Sequence, residues 1–207
     1  MLFRSAEDPV VVALPRGGVP VAAEVARMLD APLDVLVVRK LGFPFQPELA
    51  MGAIAEGGGR VVDEQLSGRG GVTAVELDAV ERRERLELER RVARYRGGRR
   101  PVPVAGRTVI VVDDGIATGA TFFASVEAIR QQDPRRIVAA IPVGPAETIA
   151  TARSCVDELI VLATPDPFWA VGNHYVDFTQ VEDHDVLEYL NLAEQSLRER
   201  LEQASKT

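Results

Sequence analysis

Residues 109–121 read VIVVDDGIATGAT and form the most informative stretch of the chain. Four apolar residues precede two adjacent carboxylates, Asp113 and Asp114, and a turn rich in Gly and Thr then leads into a helical pattern. A continuous apolar run bounded by a turn is typical of a strand that is buried on both faces of a parallel sheet. The stretch therefore predicts a strand, a turn and a helix that form one unit of an α/β sheet.

The same alternation extends to both sides of this stretch. Short apolar runs predict strands at residues 10–14, 33–38, 108–112, 137–142 and 159–162, and helical patterns lie at 19–29, 119–131 and 146–154. Residues 41–59 are predicted to be rich in loops, with a short strand at 60–62 that pairs with 52–55. The repeated order of strand and helix predicts an α/β fold with a doubly wound, mainly parallel sheet flanked by helices.

Two further helical segments complete the predicted organisation. Residues 73–96 are highly charged and begin with Thr73 and Glu76 at the spacing of a capping box, and we expect them to contact the core through few apolar residues. We predict a single domain over residues 1–207, with a helical lid or insertion at about 57–104, a small hood at about 164–180 and a C-terminal helix at about 183–203.

Composition excludes several classes of function. The 207 residues carry a formal net charge of -7, which makes general coating of nucleic acid a poor fit. A lone Cys155 excludes an internal disulfide and a multi-thiolate metal site, and it fits a reducing cytoplasm. No apolar run approaches the ~18 residues of a membrane span, so we expect no membrane partner. The first turn, LPRGGVP, lacks G-x-G-x-x-G, which argues against a nucleotide-dependent oxidoreductase.

One segment departs from the acidic average. Residues 90–112 hold seven Arg and no Asp or Glu. Three roles are open for this stretch: a lid that reaches the ligand, an interface with a partner subunit, or a solvated, ion-paired face. A nucleic-acid-binding regulator would also have to use it, with binding that depends strongly on salt.

The acid pair and the turn after it lie at the C-terminal end of their strand, where doubly wound sheets bind ligands. Backbone N–H groups at a helix start, together with Thr hydroxyls, suit a phosphate. Asp113 and Asp114 would repel that phosphate, but they suit sugar hydroxyls or a hydrated Mg²⁺ beside it. A phosphate next to a diol predicts a phosphorylated pentose, and the plainer alternative is a solvated acid pair on a flexible turn.

The turn after the first strand, LPRGG at residues 14–18, is expected at the same edge of the sheet. Gly17 and Gly18 allow backbone N–H groups to approach an anion closely. Arg16 adds a fork of donors that suits phosphate. An ordinary strand-to-helix turn is the alternative.

VIVVDDGIATGAT closely resembles the phosphoribosyl-pyrophosphate-binding motif of type I phosphoribosyltransferases. The resemblance covers nearly the whole chain, because three further segments look like segments of phosphoribosyltransferase-like proteins of that superfamily: PRGGVPVA, RKLGFPFQPELAMGAIAEGG and PDPFWAVGNHYVDF. It implies that Asp113 and Asp114 face the ribose 2′- and 3′-hydroxyls and hold Mg²⁺ mostly through these hydroxyls and water.

The resemblance also implies the binding sites for the two phosphate groups. The 5-phosphate would be wrapped by Gly115, Ile116, Ala117, Thr118, Gly119, Ala120 and Thr121. The pyrophosphate would be bound by Pro15, Arg16, Gly17 and Gly18. Arg39 and Lys40, placed by the prediction at the end of the second strand, would act as catalytic cations that neutralise the leaving pyrophosphate.

The acceptor base would bind in the hood, which concentrates aromatic residues. By resemblance, Phe168 or Trp169 would stack on the base with Tyr175 nearby, and Asp177 is a further candidate metal ligand. A small hydrophobic subcore is the alternative. Ala117 stands where hypoxanthine-guanine enzymes usually place an Asp, which argues against a simple 6-oxopurine acceptor.

The sequence therefore predicts a cytoplasmic, Mg²⁺-dependent phosphoribosyltransferase of nucleotide metabolism. It would transfer a 5-phosphoribosyl group from phosphoribosyl pyrophosphate to a nitrogenous base, or run the reverse, with release of pyrophosphate. A homodimer is expected, and nucleic acid is not expected as a partner. The alternative is a regulatory protein of the same fold that senses phosphoribosyl pyrophosphate or a nucleotide without catalysis.

Overall fold

The computed structural model describes residues 8–204, apart from the side chains of Glu48, Leu201 and Ala204. In chain order its elements are β1 (Pro9–Ala13), α1 (Gly18–Leu29), β2 (Leu33–Val35), β3 (Val38–Phe43), β4 (Gln46–Ala55), β5 (Arg60–Val62), α2 (Glu64–Arg69), α3 (Ala74–Arg96), β6 (Thr108–Val112), α4 (Ala120–Arg130), β7 (Arg136–Val143), α5 (Ala146–Cys155), β8 (Glu158–Ala163) and α6 (Asp183–Ala204). Two short 3₁₀ turns lie at Glu56–Gly58 and Val171–His174.

The main sheet has five parallel strands in the order β2-β1-β6-β7-β8. β1 and β6 are neighbours at its centre, with Val11 opposite Ile110. Every residue of β6 is buried, which explains why its sequence is an unbroken apolar run. The predicted doubly wound, parallel α/β sheet is confirmed.

Alternate residues of the central strands face two separate layers of core. Val11 and Ala13 pack with Ala22 of α1 on one face of the sheet. Val10 and Val12 pack with α4 and α5 on the other. α1 and α4 therefore lie on opposite faces, as a doubly wound sheet requires.

A second, antiparallel sheet in the order β3-β4-β5 corrects the prediction of loops at residues 41–59. The predicted second strand, residues 33–38, is wrong in extent, because β2 ends at Val35 and the chain then enters this other sheet. The strand pattern of this segment is weak because small residues lie where the two strands approach closely. At Gly42, for example, an added Cβ would lie 2.2 Å from the Pro47 carbonyl oxygen. The predicted pairing of 60–62 with 52–55 is confirmed, with Gly52 opposite Val62.

The charged helix α3 packs against the second sheet. Its capping box is confirmed, since the Thr73 hydroxyl accepts from the Glu76 N–H while the Glu76 carboxylate accepts from the Thr73 N–H. Val80, Leu88 and Tyr95 are its buried anchors. Within 57–104, the predicted lid or insertion, this helix is docked on β3 and β4 rather than extended into solvent.

The predicted C-terminal helix is confirmed as α6, which packs beside α1 and buries Val186 and Leu190. Across residues 8–204, none of the helices is both long enough and apolar enough to traverse a bilayer.

Candidate active site

The candidate site lies where the strand order of the main sheet reverses direction. From β1 the chain crosses to β2 on one side, and from β6 it crosses to β7 on the other. In sheets of this kind the carboxyl ends of the two strands at the reversal open into a crevice that binds ligands. The turn after β1 and the acid pair after β6 both lie there, and we call Arg16, Gly17, Asp113 and Asp114 the switch-point site.

The two turns of the switch-point site touch each other closely. A Cβ on Gly17 would lie 1.9 Å from Oδ2 of Asp114, and one on Gly18 would lie 2.9 Å from the Cα of Asp113. Only residues without a side chain allow this approach. The glycines of LPRGG therefore let the first turn lie directly against the acid pair.

The acid pair itself is partly buried and electrostatically strained. The Asp114 backbone N–H donates to the Asp113 carboxylate at 2.9 Å. Burial and the nearby charge of Asp114 raise the pKa of Asp113 well above its ordinary value, and burial also raises the pKa of Asp114. Carboxyls with raised pKa values in a crevice are typical of functional sites, where hydroxyl donors or a cation favour the ionised form.

The two helices that begin at this crevice have no side-chain cap. Gly17 is the N-cap of α1 and Gly119, with φ of 81°, is the N-cap of α4, and neither first turn contains an acid. By contrast, side chains of Asp63 and Thr73 cap α2 and α3. In α1 the first two N–H groups already donate to backbone carbonyls and the third position is Pro20, which has no N–H, so the N-terminus of α4 is the helix start suited to an anion.

The turn between β6 and α4 is fixed to the neighbouring elements. The Ile116 side chain is buried, and its N–H donates to the Val143 carbonyl at 2.9 Å. The Ala117 carbonyl accepts the Thr148 hydroxyl at 2.9 Å. Ala117 and Thr118 are exposed, whereas Ala120 and Thr121 already form the first turn of α4. The predicted 5-phosphate loop is therefore a rigid turn with an open outer side.

A cavity of about 530 Å³ opens beside the acid pair. Its lining comprises Arg16, Gly17, Pro20, Val21, Asp114, Tyr175, Asp177, Phe178, Thr179, Gln180 and Val181. The Tyr175 hydroxyl donates to the Asp114 backbone carbonyl at 2.6 Å, and desolvation raises the pKa of Tyr175 to about 12. Hydrogen bonds from Thr179 to its carboxylate lower the pKa of Asp177. The hood thus contributes a polar and aromatic wall to the crevice.

The comparison with known protein families agrees with this geometry. The family model described as phosphoribosyl transferase domain matches residues 2–177, which include both turns and most of the hood. The chain belongs to this family.

Two curated relatives from Mycobacterium tuberculosis, strains CDC 1551 and H37Rv, are each named "Putative phosphoribosyl transferase". Each is 49% identical over 195 residues, which is 94% of this chain but 44% of the relative. The chain therefore spans less than half the length of these relatives. Among solved structures, the TT1426 protein from Thermus thermophilus is 42% identical, with a TM-score of 0.77 over 90% of this chain and 88% of that one.

In this phosphoribosyl transferase domain the cations Arg39 and Lys40 do not lie where the sequence placed them. Both belong to β3 of the antiparallel sheet, not to the end of a strand of the parallel sheet. The Arg39 guanidinium donates to the largely buried carboxylate of Glu84 at 2.6 Å, and Lys40 is exposed. The placement was wrong because the chain leaves the parallel sheet after Val35.

The aromatic residues of the hood divide into two groups. Phe168 stacks on His174 with ring centroids 5.7 Å apart, and Trp169 is 78% exposed. Neither lines the cavity, whose aromatic wall is formed by Tyr175 and Phe178. The stacking of Phe168 or Trp169 on a base stays a prediction.

The arginine-rich stretch of the domain is largely paired with acceptors. Arg96 is the most buried member, and its guanidinium forms ion pairs with Asp34 and Glu56 and donates to the Val35 carbonyl at 2.9 Å. The further pairs are Arg90 and Arg91 with Glu87, Arg94 with Asp183, Arg99 with Asn191, and Arg107 with Asp8. These contacts favour the ion-paired role over a basic face for nucleic acid.

The acid pair fits the coordination of Mg²⁺. Among residues 8–204, no group of three or more His, Cys, Asp or Glu side chains is placed to hold a metal ion. Mg²⁺, however, is commonly held by one or two carboxylates, with phosphate oxygens and water as the other ligands. Asp113 and Asp114 would supply these carboxylates between the start of α4 and the turn that holds Arg16, both of which suit phosphate.

Sequence reasoning missed the role of residues 179–182, which span the end of the predicted hood and the start of the connection to the predicted helix. Thr179, Gln180 and Val181 line the cavity, and the next residue, Glu182, contacts Arg16. The predicted boundary between hood and C-terminal helix fell inside this segment. Its polar residues between an aromatic cluster and a helix start were the available signal.

Proposed function

We propose that this phosphoribosyl transferase domain moves a 5-phosphoribosyl group between phosphoribosyl pyrophosphate and a nitrogenous base, in either direction, with Mg²⁺. The observation that carries the proposal is the acid pair at the switch point, which lies between the uncapped N-terminus of α4 and the turn that holds Arg16. A ligand that suits it has a diol in the middle and a phosphate group at each end. Phosphoribosyl pyrophosphate has this arrangement.

The residues take distinct parts in this proposal. Asp113 and Asp114 accept hydrogen bonds from the two ribose hydroxyls, and the start of α4 with Thr118 binds the 5-phosphate. The turn before α1, with Arg16, binds the pyrophosphate. Fixing the ribose at both ends orients C1 toward the cavity, where the acceptor base binds.

The reaction is a displacement at C1 of the ribose. The bond from C1 to the pyrophosphate oxygen breaks, a bond from C1 to a ring nitrogen of the base forms, and that nitrogen loses its proton. Mg²⁺ supplies charge neutralisation for the leaving pyrophosphate when it is bound. The guanidinium donors of Arg16 stabilise the same developing charge.

The acceptor is proposed to bind in the cavity beside the acid pair. Tyr175 and Phe178 offer ring surface, and the amide of Gln180 offers both a donor and an acceptor. Ala117 at the exposed turn supplies no carboxylate to a 6-oxopurine. The homodimer and the role in nucleotide metabolism belong to the same proposal, and sedimentation of the purified chain tests the former.

A regulatory sensor is the second candidate, favoured by one observation. Two of the three cations first assigned to pyrophosphate chemistry, Arg16 and Arg39, are ion-paired with carboxylates in the structure. A protein that binds the donor without turnover could keep such pairs. The two candidates differ in turnover alone.

The test is release of pyrophosphate from phosphoribosyl pyrophosphate and Mg²⁺ across a panel of purine and pyrimidine bases. Release that requires one base, and that is lost in Asp113→Asn/Asp114→Asn, supports the transferase. Donor binding without release across the panel supports the sensor. Absence of both binding and release contradicts the proposed function.

A further inference from the structure

Arg16, the cation of the switch-point site, is engaged by a carboxylate from a distant part of the chain. Its Nη1 donates to Glu182 Oε2 at 3.0 Å, and Asp183 Oδ1 lies 3.9 Å away. Glu182 is 166 residues from Arg16 and lies beyond residues 2–177, the part matched by the family model. The carboxylate that contacts Arg16 therefore comes from the residue just before α6, outside the range that the family model matches.

The start of α6 is held in position from two sides. The Asp183 carboxylate accepts the Tyr95 hydroxyl at 2.6 Å and pairs with Arg94 at 2.6 Å, which ties it to α3. The Glu182 N–H donates to Asp185 at 2.7 Å, which fixes its backbone. From this position the Glu182 carboxylate meets the guanidinium of Arg16, which lines the cavity.

We propose that Glu182 is a positioning residue that holds the Arg16 guanidinium at the crevice and must release it when a pyrophosphate group binds. This inference rests on the proposed function, because it assigns Arg16 to pyrophosphate. A carboxylate and a phosphate present the same kind of acceptor to a guanidinium, so the two compete for its donors. Glu182 thereby lowers the affinity for pyrophosphate while leaving the 5-phosphate turn untouched.

The exposure of the pair sets the size of the effect. The Arg16 and Glu182 side chains are 28% and 52% exposed, so the pair belongs to the weak, solvent-screened class. Loss of such a pair corresponds to about a two- to fivefold change in an equilibrium constant. Glu182→Gln is therefore expected to tighten the binding of Mg²⁺-pyrophosphate about two- to fivefold and to leave the affinity for ribose 5-phosphate unchanged.

The matched control is Glu188→Gln, which removes the same charge from an exposed position on α6, the helix that follows Glu182. Both ligands are titrated by calorimetry into the wild-type chain, both variants, Arg16→Gln and the double variant Arg16→Gln/Glu182→Gln. We expect the gain from Glu182→Gln to vanish in the Arg16→Gln background. A merely structural effect would change the affinities for both ligands together.

Three results would overturn the inference. Glu182→Gln could match Glu188→Gln, its gain could persist without Arg16, or it could alter ribose 5-phosphate binding equally. Failure of the wild-type chain to bind Mg²⁺-pyrophosphate at all would overturn the proposed function together with the inference. Wild-type binding without a specific effect of Glu182→Gln would overturn the inference alone.

Discussion

Replacement of Gly17 by Ala tests whether the first turn and the acid pair act as one site. The new Cβ would lie 1.9 Å from Oδ2 and 2.6 Å from Cγ of Asp114, whereas ordinary contacts begin at 3.4 Å. The carboxylate must therefore retreat by roughly 1.5 Å, or the turn must move away from it by a similar distance. Either movement changes the spacing between the groups assigned to the ribose and to the pyrophosphate.

The expected loss is in ligand binding rather than in folding. A displacement of about 1 Å in a positioned group can lower a reaction rate about 10²-fold, so we expect the affinity for phosphoribosyl pyrophosphate to fall at least about tenfold. Gly17 has φ of -62° and ψ of -33°, a conformation that alanine adopts without strain. Replacing Gly by Ala also stabilises the folded state by up to about 1 kcal/mol, because it reduces the conformational entropy of the unfolded chain. This gain offsets part of the free-energy cost of the displacement. The melting temperature should therefore change by only a few degrees.

The assay is calorimetric titration of phosphoribosyl pyrophosphate with Mg²⁺, accompanied by thermal melting. Gly68→Ala is the matched control, because Gly68 lies in α2 and a Cβ added there would have no atom within 4 Å. That variant should bind as the wild type does. Wild-type affinity in Gly17→Ala would refute the claim that the close approach of the two turns builds the site.

Three other perturbations test separate parts of the structure. Arg96→Met leaves the buried Asp34 and the partly buried Glu56 without their cation, and it should lower the free energy of unfolding in urea by about 3–5 kcal/mol. A loss below about 1 kcal/mol would contradict the assignment of a buried ion pair. Tyr175→Phe removes a 2.6 Å hydrogen bond to the Asp114 carbonyl, so binding of phosphoribosyl pyrophosphate should weaken by about 1 kcal/mol. The loss should be equal at pH 6 and pH 9, because the pKa of Tyr175 is raised to about 12. A loss confined to one pH would argue against the role of this hydrogen bond. Burial raises the folded-state pKa of Asp113, so its ionisation costs stability as the pH rises from the ordinary pKa of 3.8 through the raised one. Asp113→Asn should therefore melt at a higher temperature than the wild type above that pH window and lose this advantage below it. A lower melting temperature of the variant at pH 8 would contradict the raised pKa.

The parallel sheet was predictable because its strands carry their own signal. β6 is TVIVV with every residue buried, so its pattern reports burial on both faces without knowledge of its neighbours. The meeting of the two turns was also predictable, since parallel strands bring their carboxyl ends to one edge. Local pattern and topology together sufficed for these features.

The hairpin of β3 and β4 was not predictable in the same way. Gly42, Gly52 and several alanines weaken the strand pattern, and only close cross-strand contacts explain why these residues are small. The misplacement of Arg39 and Lys40 followed from this, because the sequence alone does not show that the chain leaves the first sheet after Val35.

Long-range ion pairs were beyond local reasoning for a related cause. The partners of Arg96 lie 62 and 40 residues away, and the partner of Arg16 lies 166 residues away. Charge composition showed that residues 90–112 needed acids from elsewhere, but which acids depends on the packing of α3 and α6. The same limit hid the hydrogen bond from Tyr175 to Asp114.

Asp113 and Asp114 are proposed to form the sugar-binding centre of a phosphoribosyl pyrophosphate site. Calorimetric titration of phosphoribosyl pyrophosphate into the wild-type chain and into Asp113→Asn/Asp114→Asn, each with and without Mg²⁺, tests this proposal most directly. We predict Mg²⁺-dependent binding by the wild type and none by the variant, which should still melt cooperatively. Equal affinity in the two proteins would contradict the assignment of the site.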